Sequence, residues 1–144
     1  MADSFMEELA ESECLELLKG HHFGRVAFVE HADGPPVIIP VNYLVHAETV
    51  VFRTDPNSKL GSALRSTTAA FEIDGIDKRE RTGWSVVISG RAEEVVDPRE
   101  VDELRQTPLL PWAPGDRSLY VRIAPELVTG RRISVADLPS NWWG

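Results

Sequence analysis

The chain has 144 residues, of which 42% are hydrophobic and 26% are charged, a composition typical of one folded domain rather than of a disordered segment. Its formal net charge of −8 argues against a nucleic-acid or anionic-membrane partner, because both require a basic surface. A single cysteine, an acidic N-terminus without an apolar core and the lack of a membrane-length apolar run lead us to expect a cytoplasmic protein without disulfide bonds.

The first part of the chain is predicted to form a helix and a β-hairpin. The helix covers 12–19, with Ser12 as its cap and Gly20 as its end. Two apolar runs follow, over 24–30 and 37–46. The polar, glycine-containing turn between these runs is typical of a hairpin, so we expect the two strands to pair.

The middle of the chain is predicted to be mainly β. A strand over 49–54 runs into an Asp-Pro pair, which is typical of a helix start, so a short helix is expected over 56–65. Two further strands are expected over 68–75 and 82–95, joined by a charged tip. Gly90 indicates a bulge or a bend in the second of these strands.

The C-terminal part begins with a strong helix signal. Asp97 is the predicted cap, a proline follows it, and Glu100 takes the position of a capping box. A sixth strand is expected over 117–126, and the run over 128–135 extends or follows that strand.

These elements predict the fold class. Several strands with few, short helices favour a barrel, since a doubly wound parallel sheet requires a helix after nearly every strand. We therefore predict a mainly β fold, a six-stranded antiparallel split β-barrel of the Greek-key type with a few short helices. The chain 1–144 forms one domain, with 1–11 and 136–144 as peripheral tails.

One segment is a candidate phosphate site, because a strand leads there into a helix start. Free N–H groups at such a start attract anions, and cations and hydroxyl groups add charge and donors. Four side chains of the segment are of this kind: Arg53, Thr54, Ser58 and Lys59. The neighbouring Asp55 leaves the alternative of an ordinary capped helix with solvated cations.

Three further positions are candidates for contacts with a flat heterocycle or a substrate. The first is a strand interrupted by proline, where polar groups follow an apolar wall: Pro40, Val41, Asn42 and Tyr43. The second is Trp84, with Ser85 beside it, although a core tryptophan is the commoner explanation. The third is Trp112 in a rigid Pro/Gly loop, which covers a pocket, fills a subunit interface or packs on its own domain. The four histidines lack metal-ligand spacing, so we predict no metal site.

Taken in order, these segments resemble the pyridoxamine 5′-phosphate oxidase-like superfamily of FMN-binding split barrels. The small bacterial flavoproteins that include the nitroimidazole-resistance group are the branch they resemble most. The matching pieces cover about residues 12–135: GRVAF, PVIIPVNY, VVFRT with Ser-Lys four residues on, VVISGRAEEV and YVRIAPELVTGRRI.

The resemblance implies a set of site residues. The flavin ring would lie along the second strand and the next: Pro40, Val41, Asn42, Tyr43, Arg53 and Thr54. The phosphate would be held at Ser58 and Lys59. Ser85, with Trp84 beside it, would approach the flavin, often from the other subunit.

The resemblance also implies a function. We expect a homodimeric flavin-dependent oxidoreductase with FMN as cofactor, acting on a small organic molecule, and we assign it no catalytic side chain because the sequence indicates none. The alternatives are a deazaflavin-dependent reductase and a non-catalytic flavin- or haem-binding protein that stores or senses its ligand. Activity on pyridoxamine phosphate itself is not expected, because the C-terminal segment DLPSNWWG does not match the substrate-binding segment of that oxidase.

Overall fold

A computed structural model of the chain describes residues 4–58, 61, 64, 66–111 and 118–135. These residues form one antiparallel sheet and two α-helices, α1 (Glu11–Lys19) and α2 (Pro98–Arg105). The sheet has nine strands: β1 (Ser4–Glu8), β2 (Phe23–Val29), β3 (Pro36–Asn42), β4 (Leu44–His46), β5 (Thr49–Thr54), β6 (Ser66–Asp77), β7 (Thr82–Glu94), β8 (Leu119–Ile123) and β9 (Leu127–Val135). Neither helix has the length and apolar composition that crossing a bilayer requires.

The sheet curls because its two ends are joined by a single residue. The strands are ordered β3-β2-β6-β7-β8-β5-β4, with β9 beside β7 and β1 beside β9. Strands β3 and β4 lie at opposite ends of this order, yet only Tyr43 separates them along the chain. The ends must therefore approach each other, and the result is the mainly β, antiparallel split barrel that the sequence predicts.

The described residues form more strands than the predicted six, for three local reasons. The predicted strand over 37–46 is interrupted at Tyr43, whose backbone N–H donates to the His22 carbonyl at 2.9 Å. Strands β8 and β9 are separate, because β8 pairs with β5 while β9 pairs with β7 and β1. Strand β1 was not predicted, because its sequence SFMEE has few apolar residues; it forms as the outer partner of β9.

The predicted hairpins are present. Strands β2 and β3 pair from Phe23 opposite Asn42 to Val29 opposite Pro36. Strands β6 and β7 form the longest ladder, and its register is unbroken at Gly90, so no bulge lies there. Instead, the neighbour of β7 changes from β9 to β8 around Gly90, and the Ala124 carbonyl occupies the space that a Cβ would need.

The start of α1 differs from the prediction, while its end agrees with it. For α1 the cap position is Ala10, without a side-chain hydrogen bond, so the prediction of a Ser12 cap is wrong. The preceding residue fixes this start, because the Leu9 N–H donates to the Gly130 carbonyl at 2.9 Å. Gly20 ends α1 as predicted.

The start of α2 is only partly as predicted. Asp97 accepts a hydrogen bond from the Arg99 N–H at 3.0 Å, which confirms the cap. Glu100 does not complete a capping box; its carboxylate pairs with Arg122 and lies 3.2 Å from His46 Nδ1. Of the predicted helix over 56–65, residues 56–58 form a turn, and residues 59, 60, 62, 63 and 65 lie outside the described residues.

Two apolar clusters stabilise the fold. The larger fills the barrel, and its most deeply buried large side chains include Tyr43, Phe52, Phe71, Ile88 and Ile123. The smaller lies between β5, β8 and α2: Val51, Val95, Leu104, Leu109 and Tyr120. The smaller cluster holds α2 and the segment after it against β5, which places that segment beside the junction of β3 and β4.

Candidate functional site

A cavity of about 320 Å³ lies beside the junction of β3 and β4. Its volume is at the lower end of the range for small-molecule sites, which is roughly 300–1,000 Å³. It is lined by His22, Asn42, Tyr43, Leu44, Pro108, Leu109 and Leu110. The hydrogen bond from the Tyr43 N–H to the His22 carbonyl brings the end of the α1–β2 connection to this junction. The chain after α2 supplies the opposite wall of the cavity.

The cavity combines apolar walls with two polar side chains. Leu44, Pro108 and Leu109 form the apolar part. Within the part of the chain that the structure describes, the Asn42 carboxamide and the His22 imidazole have no hydrogen-bonding partner. Such an arrangement suits a planar heterocycle, whose faces need apolar contacts and whose edges need a few donors and acceptors.

Tyr43 contributes differently from its neighbour Asn42. Its side chain is buried, its hydroxyl donates to the Leu18 carbonyl at 2.6 Å, and its ring meets Phe71 edge-on at 4.7 Å. Burial raises the pKa of the Tyr43 hydroxyl far above its usual value, so the group remains a protonated donor. Because this donor is committed to α1, the Tyr43 side chain offers a ligand no free donor. Val41 is likewise buried in the barrel, and Pro40 is half-buried.

Arg53 links the end of β5 to the wall of the cavity. Its Nη1 donates to the Leu109 carbonyl at 3.3 Å, and its guanidinium lies 5.4 Å from the centre of the Tyr120 ring. Thr54, the next residue, is buried, and its hydroxyl lies 3.4 Å from the Ser58 hydroxyl. The cavity, Arg53 and the turn after β5 therefore lie next to one another.

The turn after β5 is closed by its own hydrogen bonds. Asp55 accepts from the Asn57 N–H at 2.8 Å, as a capping carboxylate does. The Ser58 hydroxyl donates to the Asp55 carbonyl at 2.7 Å and accepts from the Gly61 N–H at 2.9 Å. A phosphate at Ser58 would have to replace the contact to the Asp55 carbonyl. Lys59 lies outside the described residues.

Trp84 and Ser85 lie on opposite faces of β7. The Trp84 ring packs over Gly75, where a Cβ would come within 2.6 Å of its Nε1, and its centre lies 4.8 Å from that of His21. Trp84 is half-buried against the barrel core, as a core tryptophan is. Ser85 faces a second cavity of about 450 Å³ on the outer side of β7 and β9, which Arg131 also lines. Trp112 lies outside the described residues.

The structure thus brings some of the predicted site residues together and separates others. Asn42 and Tyr43 line the first cavity, and Arg53 contacts its wall. Ser85 lies at the second cavity. The sequence did not indicate His22 or Leu109 as site residues, since no local pattern relates positions so far apart along the chain.

The chain is similar to one protein family by sequence and to several solved flavin-binding proteins by structure. A family model described as pyridoxamine 5′-phosphate oxidase matches residues 10–132. The uncharacterized protein Rv0080 of Mycobacterium tuberculosis is 43% identical over 135 residues, which are 90% of this chain and 86% of that protein. The solved FAD binding protein of Mycobacterium smegmatis is 36% identical, covering 87% of this chain and 96% of its own, with a TM-score of 0.74. A solved FAD-binding protein of Mesorhizobium loti is 25% identical, covering 92% and 99%, with a TM-score of 0.71.

Proposed function

The chain belongs to the pyridoxamine 5′-phosphate oxidase family, and we propose that it is a flavin-dependent oxidoreductase that acts, as a homodimer, on a small organic molecule. The observation that carries this proposal is the cavity at the β3–β4 junction. Its apolar walls suit the faces of a flavin ring, and the free side chains of Asn42 and His22 suit the edge of that ring.

The residues beside the cavity fit a flavin nucleotide. Arg53 supplies a cation at the wall, and the Ser58 hydroxyl in the turn that follows β5 could donate to a phosphate by giving up its hydrogen bond to the Asp55 carbonyl. When bound, a flavin supplies the hydride-transfer chemistry, while the protein binds and orients it. Asn42 and His22 would orient the ring, and Leu44 and Leu109 would exclude water from its face. We assign no side chain a role in proton transfer.

FMN is the cofactor we propose, and FAD is the second candidate. FAD is favoured by the solved relatives from Mycobacterium smegmatis and Mesorhizobium loti, which are both named for binding it. A deazaflavin with a polyanionic tail is disfavoured by the net charge of −8. The mass of the cofactor released from the denatured protein distinguishes all three.

The absorption spectrum tests the reaction class. An oxidoreductase should show flavin bands that bleach with a reductant and recover with a small organic acceptor. Flavin bands that no acceptor restores would indicate a storage or sensor protein, and a Soret band would indicate haem. Either result would contradict the proposed function.

Arg53→Met tests the phosphate contact. We expect the variant to bind FMN about 10- to 100-fold more weakly, because one charge-assisted hydrogen bond contributes about 1.5–3 kcal/mol. Riboflavin, which lacks the phosphate, should bind almost as it does to the unmodified chain. Arg91→Met, an exposed position on β7, is the matched control. Equal losses for FMN and riboflavin would place Arg53 away from the phosphate.

The homodimer is proposed because Ser85 lines the second cavity, and its strand β7 is three strands away from β3, which carries Asn42 of the first cavity. A second copy could bring this polar side chain to a flavin in the first cavity, and two-fold dimers are the commonest closed assembly. Sedimentation of the flavin-loaded protein should show a dimer. A monomer with full flavin occupancy would contradict this part of the proposal.

A further inference from the structure

A cluster of charged side chains connects strand β4 to helix α2. The His46 imidazole of β4 lies between two carboxylates of α2: its Nδ1 is 3.2 Å from Glu100 Oε2, and its Nε2 is 3.2 Å from Glu103 Oε2. The other carboxylate oxygen of Glu100 pairs with Arg122 on β8. One histidine therefore spans two side chains on successive positions of one helix face, and an arginine fixes the first of them from behind.

The geometry suits a doubly protonated imidazole. A neutral imidazole has one N–H donor, and its second nitrogen, an acceptor, would face a carboxylate oxygen with no proton between them; the imidazolium has two donors. The side chains of His46 and Glu100 are only 23% and 17% exposed, so water replaces these contacts poorly. The hydrogen bond from Arg122 is the main cause that lowers the pKa of Glu100, and His46 acts in the same direction. The uncharged Thr49 is opposite His46 on β5, and Glu48 is the next charged residue along the chain.

Helix α2 needs such contacts because its apolar anchor is small. Of its eight residues Leu104 is buried, and Val101 is partly buried against the smaller apolar cluster. A helix this short is not stable without tertiary contacts. The contacts at Glu100 and Glu103 therefore help to hold α2 on the barrel, and their loss would favour local opening of the helix.

The position of α2 sets the position of one wall of the first cavity. The Thr107 N–H and hydroxyl both donate to the Leu104 carbonyl, at 3.1 and 2.5 Å, so the chain leaves the helix in a fixed direction. Leu109, two residues further on, lines the cavity. Leu44, which also lines it, lies in the same short strand as His46. The contact of His46 with α2 thus connects two walls of the cavity.

We propose that His46 is a positioning residue for the first cavity: its imidazolium ties β4 to α2, and loss of its proton loosens the wall at Leu109 and weakens ligand binding. Histidine side chains change charge between about pH 5 and 8. Because the contact with both glutamates requires the charged form, it is present at the lower end of this range and is lost as pH rises through it. The inference rests on the proposed function for the identity of the ligand, a flavin, and adds a pH dependence of its binding.

Hydrogen exchange of α2 tests the contact without a ligand. The reporters are the Gln106 and Thr107 amides, which close the last turn of α2. We expect their protection factors, corrected for the intrinsic pH dependence of exchange, to be about three- to tenfold higher at about pH 6 than at about pH 8.5. The Cys14 amide, bonded within α1, is a reference that should not change in this way.

Three variants assign this pH dependence. His46→Gln should show the lower protection at both pH values, because glutamine carries no proton that is lost in this range. His46→Arg keeps a planar cation at both values and should keep the higher protection at both. His31→Gln, the same substitution at an exposed position in the β2–β3 turn, is the matched control and should behave as the unmodified chain does. A pH dependence that survives in His46→Gln, or low protection in His46→Arg, would overturn the contact.

Riboflavin binding tests the link from the contact to the cavity. Riboflavin is the probe because it lacks the phosphate, which itself titrates near pH 6. Between about pH 6 and about pH 8.5 its dissociation constant should rise about three- to tenfold more for the unmodified chain than for His46→Gln. His22 also lines the cavity, but both chains contain it, so the difference between them belongs to His46. An equal rise in both chains would overturn the positioning role. Failure of riboflavin to bind at either pH would contradict the proposed function, and exchange would then decide the contact of His46 on its own.

Discussion

Replacing Tyr43 by phenylalanine separates two roles for this residue, a contact to the cofactor and a link between α1 and the barrel. The Tyr43 hydroxyl donates to the Leu18 carbonyl at 2.6 Å, and both residues are buried. Leu18 lies in the last turn of α1, where carbonyl groups have no partner within the helix. Tyr43→Phe leaves this acceptor unsatisfied, and we expect the free energy of unfolding to fall by about 1–2 kcal/mol.

Urea and thermal unfolding measure this loss. For a domain of this size, a loss of about 1–2 kcal/mol should lower the melting temperature by about 3–6 °C. Flavin affinity should change less than about twofold, a free-energy change below about 0.5 kcal/mol, because the hydroxyl points to α1. Tyr120→Phe is the matched control: its ring is also buried, but among the described residues its hydroxyl has no hydrogen-bonding partner. That variant should lose less than about 0.5 kcal/mol.

Two results would refute this reasoning. Equal stability of Tyr43→Phe and the unmodified chain would show that the bond to Leu18 contributes nothing. A tenfold loss of flavin affinity with unchanged stability would show that the hydroxyl contacts the cofactor, as the family resemblance implies for this position.

Three further predictions concern the framework around the site. Gly90→Ala should destabilise the fold by about 1–3 kcal/mol in urea unfolding, because a backbone carbonyl occupies the space of the new methyl group; Gly83→Ala on the same strand, with its nearest atom 3.6 Å away, should be almost neutral. The hydrogen bond from Arg122 is the main cause that lowers the pKa of Glu100. Its stabilising effect should therefore be present above the ordinary pKa of a glutamate and be lost as pH falls through the lowered value, so Glu100→Gln should lower the melting temperature at neutral pH but not in acid. Cys14 is fully buried, and burial raises the pKa of its thiol, so thiol reagents should modify it slowly in the native protein and quickly in urea; fast native labelling would contradict the packing.

Local sequence signals predicted the elements whose partners are near along the chain. The hairpin of β2 and β3 and the Asp97 cap of α2 are of this kind, because a turn or a cap depends on residues within a few positions. The Ser12 cap and the Glu100 capping box failed for one reason. In each case a distant group acts: the Gly130 carbonyl accepts from the Leu9 N–H just before α1, and the Arg122 guanidinium pairs with the Glu100 carboxylate.

The features of the site likewise fall into those that local sequence indicates and those that depend on distant contacts. The sequence by itself indicated the barrel, the polar residue Asn42 next to an apolar wall and the capping carboxylate of Asp55, since alternation and turn chemistry encode them. Only the tertiary structure decided that Tyr43 turns its hydroxyl into the core and that Ser85 faces a different cavity. It also decided that Leu109 closes the wall against Arg53. The physical reason is that burial, charge pairing and cavity shape depend on residues far apart in sequence, which meet only when the sheet curls.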